Sequence, residues 1–331
     1  MALALVVTLT AACAPTSASP SLGAQRAAAH DADNGAPSTR PAADDVAGAQ
    51  RSEHSAGAAA RLAGPKLRSF SRKRAMRHVR HLAGRIGTRV RAHRGERRAA
   101  LYVASRFRRL GYRTKIRTFP VDGATSRNVV AWWPGASRYP VVVGAHMDTV
   151  PGAPGANDNA SGVAVLLETA RLVAGKRQAR FLRLVAFGSE EYGANGAHHV
   201  GSQSFVARLG PRGRRKLAGM LSIDMVADGR PLLVGSFGIG PRALGRLAYR
   251  RVRAAGIKAR YTTLCDCSDN GPFERAGIPA GFMYSGPEPN YHSPSDTPRN
   301  LVPRDLVRSG RAAKAFVKAL RRDLVRRLRR H

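Results

Sequence analysis

Apolar and polar positions change rhythm several times along the chain, and each rhythm predicts an element. Arg72 to Leu82 reads as a basic amphipathic helix. Glu96 to Leu110 reads as another, with Leu101, Val103, Ala104 and Phe107 at helical spacing and Gly111 as its stop. Thr114 to Phe119 alternates as a strand does, and Arg127 to Trp133 is a second strand. Pro140 opens a short apolar run, Val141 to Ala145, ahead of a Gly/Pro-rich loop, the pattern of a strand buried on both faces. Ser161 to Ala174 is apolar nearly all round, which predicts a buried helix. Phe181 to Phe187, Leu217 to Val226, Leu232 to Val234 and Ala280 to Tyr284 read as extended. Ala243 to Ala255 reads as a helix, and Arg304 to Arg330 as one long basic helix. Strands alternating with helices predict an α/β sandwich around a largely parallel sheet.

The first 70 residues follow a different logic. Residues 1–19 hold one short apolar run ended by small residues, too short to span a bilayer and suited to a signal peptide, although no positive segment precedes it. Cys13 follows Leu9-Thr10-Ala11-Ala12, which resembles a lipoprotein cleavage box, so an anchored and a freely secreted product both stay open. Residues 20–70 are read as a disordered linker or a removed pro-segment. Up to Gly64 they are rich in Ala, Ser, Gly and Asp, with no aromatic residue to anchor a core. The folded domain is placed at 71–331.

Charge narrows the function. The chain carries 56 basic and 21 acidic side chains, a formal net charge of +35. The arginines are scattered without interleaved aromatics, so specific nucleic-acid binding is not the expected function, and attraction to anionic envelope polymers is the expected consequence. Yet Lys and Arg are absent from Tyr139 to Ala170, Leu184 to Ala207 and Ala276 to Pro298. These gaps bracket His146-Met-Asp148, Asn157-Asp158-Asn159, Glu190-Glu191 and His292-Ser-Pro-Ser-Asp296; Asp224 alone lies outside them. A site that holds dications excludes fixed positive charge. Two His and three acids past strand ends match what two close metals need, one bridging carboxylate and terminal ligands for each. Asp148 and Asp296 are placed to hydrogen-bond the two imidazoles, His146 and His292, and set their tautomers.

The order and wording of these segments resemble the M28 family of zinc peptidases. His146-Met-Asp148 and Gly155-Ala-Asn-Asp158-Asn-Ala-Ser-Gly162 resemble its first two metal motifs, and Gly188-Ser-Glu190-Glu191-Tyr-Gly193 the third. Ile223-Asp224-Met225 resembles the fourth, and Tyr291-His292-Ser-Pro-Ser-Asp296-Thr297 the last. The resemblance covers about Val141 to Leu301. It implies a three-layer α/β/α sandwich with a mixed, mostly parallel sheet and two Zn2+ per chain. Asp158 would bridge the metals, with His146 and Asp224 on one and Glu191 and His292 on the other. Glu190 would be the general base, and Tyr291 would polarise the scissile carbonyl. The chain departs from the family pattern after Glu191-Tyr-Gly, where Ala194 to Val200 intervene before Gly201-Ser202.

The implied activity is removal of N-terminal amino acids from peptides or proteins by an exported enzyme. Carboxypeptidase, dipeptidase, M20-type and glutaminyl cyclase-like acyl transfer readings stand beside it. The paired His198 and His199 are read as an exposed loop, and Glu168 as a capping or pairing residue within its helix. Cys265 and Cys267 lie on a segment resembling a family loop that lines the substrate site, as free thiols or as a disulfide across one intervening residue, for which the geometry is poor.

Overall fold

The computed structural model describes residues 67–286 and 288–330. The predicted leader and most of the predicted linker lie outside the described residues. The packed region starts before Ser71: Leu67 is buried in the main core, and Phe70 packs against it over Gly310.

The central strands are mostly apolar and buried along nearly their whole length. β3 (Val141–His146), β4 (Leu182–Phe187), β5 (Gly219–Asp224) and β8 (Ala280–Ser285) lie parallel, in the order β4-β3-β5-β8. A hairpin, β1 (Arg113–Val121) and β2 (Ala124–Trp132), extends the sheet antiparallel beyond β4. Its turn is Asp122-Gly123, both at positive φ, the conformation a two-residue hairpin requires. At the other edge β6 (Leu232–Ser236) runs antiparallel to β8 and carries β7 (Arg260–Thr263) parallel to itself. The α/β class and the mixed, mostly parallel sheet expected from the sequence are what the chain forms.

Side-chain alternation on the strands builds two cores. Val141, Val143, Ala145, Leu182, Leu184 and Ala186 face the larger one, whereas Val142, Val185 and Phe187 face the smaller, where Phe205 and Phe273 pack. The larger core is covered by α1 (Arg72–Val79, continued by a π-helical stretch to Ile86), α2 (Arg94–Arg109), α3 (Gly162–Val173), α5 (Ala243–Ala254) and α7 (Pro303–Lys318). Two shorter-reaching helices, α4 (Val200–Arg214) and α6 (Gly271–Arg275), cover the smaller. Every residue of α3 except Arg171 is buried, as its all-round apolar pattern predicts. Glu168 is among them: its carboxylate accepts from Arg171 and from Ser71 N, so it pairs and caps.

The C-terminal region differs from the single helix expected. The helix stops at Lys318, Arg321 is extended, and α8 (Arg322–Leu328) starts again. No Gly or Pro marks the break. It comes from packing, since Leu320, Leu324, Val325 and Leu328 must all turn into the core. The helix α4 has no counterpart in the periodicity reading, because Gly210-Pro211 and further glycines interrupt its apolar face.

One half-buried histidine ties stability to pH. His78 Nδ1 lies 2.7 Å from the Tyr102 hydroxyl, and burial, with Arg106 and Arg77 nearby, pushes His78 down to about 4. The folded chain holds this ring neutral, whereas the unfolded chain protonates it near 6.5. Its contribution is therefore complete above pH 6.5 and lost as pH falls towards 4, on the order of 3 kcal/mol. Melting temperatures from pH 7.5 to 4.5 should fall less steeply for His78→Gln than for the wild type; equal slopes would remove His78 as the cause.

Candidate metal centre

The parallel centre brings the predicted ligands together. His146 ends β3, Asp224 ends β5, Glu190 and Glu191 follow β4, and Asp158 sits in the turn entering α3. His292 reaches the same point from the loop after β8. Adjacent parallel strands end side by side, so residues far apart in the chain converge at their C-terminal ends.

Asp158 stands between two imidazoles. Its Oδ1 is 3.0 Å from His146 Nε2 and its Oδ2 is 3.1 Å from His292 Nε2. Asp224 Oδ1 lies 3.2 Å from His146 Nε2, and Glu191 Oε2 lies 3.1 Å from His292 Nε2. Two triads therefore share one carboxylate. Ligand atoms of His146, Asp158 and Glu191 lie within 4.8 Å of one another, as do those of His146, Glu190 and Asp224. Glu191 Oε1 is buried without a hydrogen-bond partner. This donor set, imidazole and carboxylate with no amide or hydroxyl, suits zinc. The charge balance fits too. Burial works against a proton on His146, yet Asp224 and Glu190 hold it well above its ordinary range. His292 is pushed up to about 10 against burial by Asp158 and Glu191. Glu190 is raised well above the carboxylate range by burial and by Glu191, Asp224 and Asp269, and Glu191 to about 7 by burial and Asp158. A cluster this acidic draws cations.

The surroundings show how the site is held. Asn159 accepts from Gly162 N and Met225 N and donates to Ile223 O; Asn157 accepts from Ala227 N. These bonds stitch the Asp158 turn to the end of β5. Gly162 is needed there, because a Cβ would collide with the Ile223 carbonyl. Ser268 Oγ donates to Asp224 Oδ2 at 2.7 Å, leaving Oδ1 to face His146. Ser268 follows Cys265 and Cys267, which form a disulfide despite their spacing. Among the described residues six that are not glycine have positive φ, and four of them (Ser189, His199, Met225 and His292) lie at this site.

Two expectations change. Asp296 does not reach His292: its carboxylate accepts from Asn157 N at 2.7 Å and Asp158 N at 3.0 Å, so it fixes the backbone of the bridging residue. Asp148 Oδ1 does face His146 Nδ1, at 3.7 Å, and the same carboxylate also accepts from Glu190 N and Glu191 N. Both carboxylates support ligand backbone, a role that sequence spacing alone does not reveal. His199 is also not exposed; it is buried, with Nε2 at 3.0 Å from Glu190 Oε1. Tyr291 is 53% exposed and stacks on His292.

Arg89, absent from the sequence reading, is fully buried beside the site. Its guanidinium donates to the carbonyls of Met147, Gly87, Pro154 and Gly155. The charge-free stretches of the sequence do not exclude this arginine, because it enters from a distant segment. Its donors are spent on backbone, and it braces the loop between β3 and Asp158.

The profile of Peptidase family M28 matches residues 128–317, and the chain belongs to that family. Leupeptin-inactivating enzyme 1 of Streptomyces exfoliatus is 34% identical over 205 residues, 60% of this chain and 45% of that protein. Aminopeptidase YwaD of Bacillus subtilis is 31% identical over 206 residues, 58% and 44% of the two chains. The chain thus spans less than half the length of these relatives. In three dimensions it superposes on BSAP, a zinc aminopeptidase from Bacillus subtilis, with a TM-score of 0.71 at 19% identity, covering 78% of this chain and 97% of that one.

Proposed function

We propose that the chain is a di-zinc aminopeptidase that removes N-terminal residues from peptides. The observation that carries this reading is Asp158, whose two oxygens face the imidazoles of two triads. His146 and Asp224 would hold one zinc, Glu191 and His292 the other, with Asp158 shared. Bound there, the metals supply Lewis acidity towards the scissile carbonyl and lower the pKa of water. Glu190, its Oε2 3.9 Å from His146 Nε2, takes the proton of the attacking water and delivers it to the leaving amine. Tyr291, exposed beside His292, would donate to the developing oxyanion.

Charge favours the amine end of the substrate. The cluster of Asp158, Asp224, Glu190 and Glu191 attracts a free ammonium and repels a terminal carboxylate. Two arginines that could capture a carboxylate are engaged: Arg230 pairs with Asp305 and Arg275 with Asp266. An uncharged, apolar first residue is the expected preference. The leader-like N-terminus supports export, and the basic surface supports association with an anionic envelope. Among the described residues no helix is long and apolar enough to cross a membrane.

Metal analysis of the purified protein should give close to two zinc equivalents, with activity on aminoacyl substrates lost to a strong chelator. Full activity without metal would end this reading. Cleavage of N-acetylated peptides from their C-terminus would make it a carboxypeptidase, and release of pyroglutamate from N-terminal Gln peptides a cyclase.

A further inference from the structure

The proton path above leaves one buried side chain beside the base unused. Glu190 Oε1 meets His199 Nε2 at 3.0 Å, while Oε2 is the oxygen turned towards His146. His199 is brought there by the segment that departs from the family pattern. Arg91 Nη1 donates to both Glu191 O and Ala197 O, closing the segment into a loop, and Arg91 itself pairs with Asp122. Gly193 N bonds Ala197 O, so the chain folds back on itself. His199 N then donates to Glu190 O at 2.7 Å and Val200 N to Ser189 O at 2.8 Å. Histidine and base are thus fastened to each other through backbone, which holds the two side chains 3.0 Å apart. His199 takes a left-handed conformation, φ 54°, immediately before α4, a cost that the surrounding bonds must hold.

We infer that His199 is a positioning residue for Glu190: its Nε2–H holds Oε1, so that the proton of the attacking water is received and released at Oε2. The inference rests on the peptidase reading for its consequence, but the contact itself does not. A base that takes the proton of water starts ionised and only accepts, so in that reading the ring nitrogen facing Glu190 carries the hydrogen. Burial, with His198 and Arg275 nearby, pushes His199 down to about 3, which keeps the imidazole neutral, and its Nδ1 is buried without a partner. The ring therefore has one N–H, and Glu190 receives it. The proton balance closes without His199 titrating. Oε2 gains one proton from water and loses it to the leaving nitrogen, while Oε1 keeps the same donor throughout. A carboxylate free to rotate would present either oxygen, and misplacement of a reacting group by about 1 Å costs about 10²-fold.

The test compares His199→Leu, His199→Asn and His199→Gln with the wild type, alone and in a Glu190→Gln background. Glutamine can place an amide N–H near the Nε2 position, whereas asparagine is too short. The Leu and Asn variants should lose about 10–100-fold in kcat at little-changed KM, zinc content and melting temperature, and Gln should recover most of it. In the Glu190→Gln background His199→Leu should cost almost nothing more, since both act through one carboxylate. Wild-type kcat in the Leu or Asn variant, an equal loss in both backgrounds, or loss of zinc would each overturn the assignment. If His199→Leu fails to fold, the Asn and Gln pair still decides. Nitrogen-15 NMR of the imidazole reads the contact apart from activity. The Nε2–H tautomer is expected, with ring shifts altered by Glu190→Gln. An Nδ1–H tautomer would overturn the inference even in an active enzyme, whereas an inactive wild type showing the Nε2–H tautomer would reject the peptidase reading alone.

Discussion

Glu190→Gln should keep both metals and lose about 10²–10⁴-fold in turnover, the usual worth of a general base. Its neighbour should behave differently. Glu191 Oε2 is 3.1 Å from His292 Nε2, within one triad, whereas the nearest metal-site nitrogen to Glu190 is 3.9 Å away and its other oxygen is engaged by His199. Consecutive side chains in extended backbone point to opposite sides, and the two adjacent carboxylates meet different partners, His199 for Glu190 and His292 for Glu191. Glu191→Gln should therefore weaken one metal, with activity partly restored at high zinc. Zinc content and turnover, measured on both variants in parallel, decide the matter. Glu190 also lies within ligand reach of His146 and Asp224. A Glu190→Gln protein that loses a metal while Glu191→Gln keeps both would reverse the two roles.

The largest loss is expected at Asp158. An amide has one acceptor oxygen and cannot serve two cations, so Asp158→Asn should weaken both sites together. Losing the bound metals removes several kcal/mol of charge stabilisation in the transition state, at least about 10³-fold in rate. The same variant offers a readout that needs no substrate. Zinc that binds only the folded protein raises its melting temperature, by about 2.7 kcal/mol of stability at a hundredfold excess over Kd. Wild-type protein stripped by a chelator should show that rise on adding zinc, and Asp158→Asn should show little of it. Asp224→Asn should keep part of the rise, because the His292 side retains its ligands. A full zinc response in Asp158→Asn would mean that this carboxylate does not bridge.

Much of this architecture is written locally in the chain. The all-round apolar stretch of α3, the runs of β3 and β4, and the polar residues just past their ends are legible because period and position depend only on near neighbours. Five short segments in order suffice to point to the family, and strand ends suffice to say that His146, Asp158, Glu191, Asp224 and His292 meet. What the linear order does not carry is which polar atom ends beside which. Asp296 sits four residues past His292 yet bonds the backbone at Asn157 and Asp158, because a loop after β8 folds across the turn before α3. Arg89 reaches the site from a segment with no motif, and Ser268 reaches Asp224 from beyond a disulfide. His199 looks like one of an exposed pair until Arg91 closes its loop and buries it against Glu190. These contacts join residues tens of positions apart or hang on loop closure. Their free energy comes from burial and hydrogen bonding that exist only once the sheet has assembled, so no local pattern announces them.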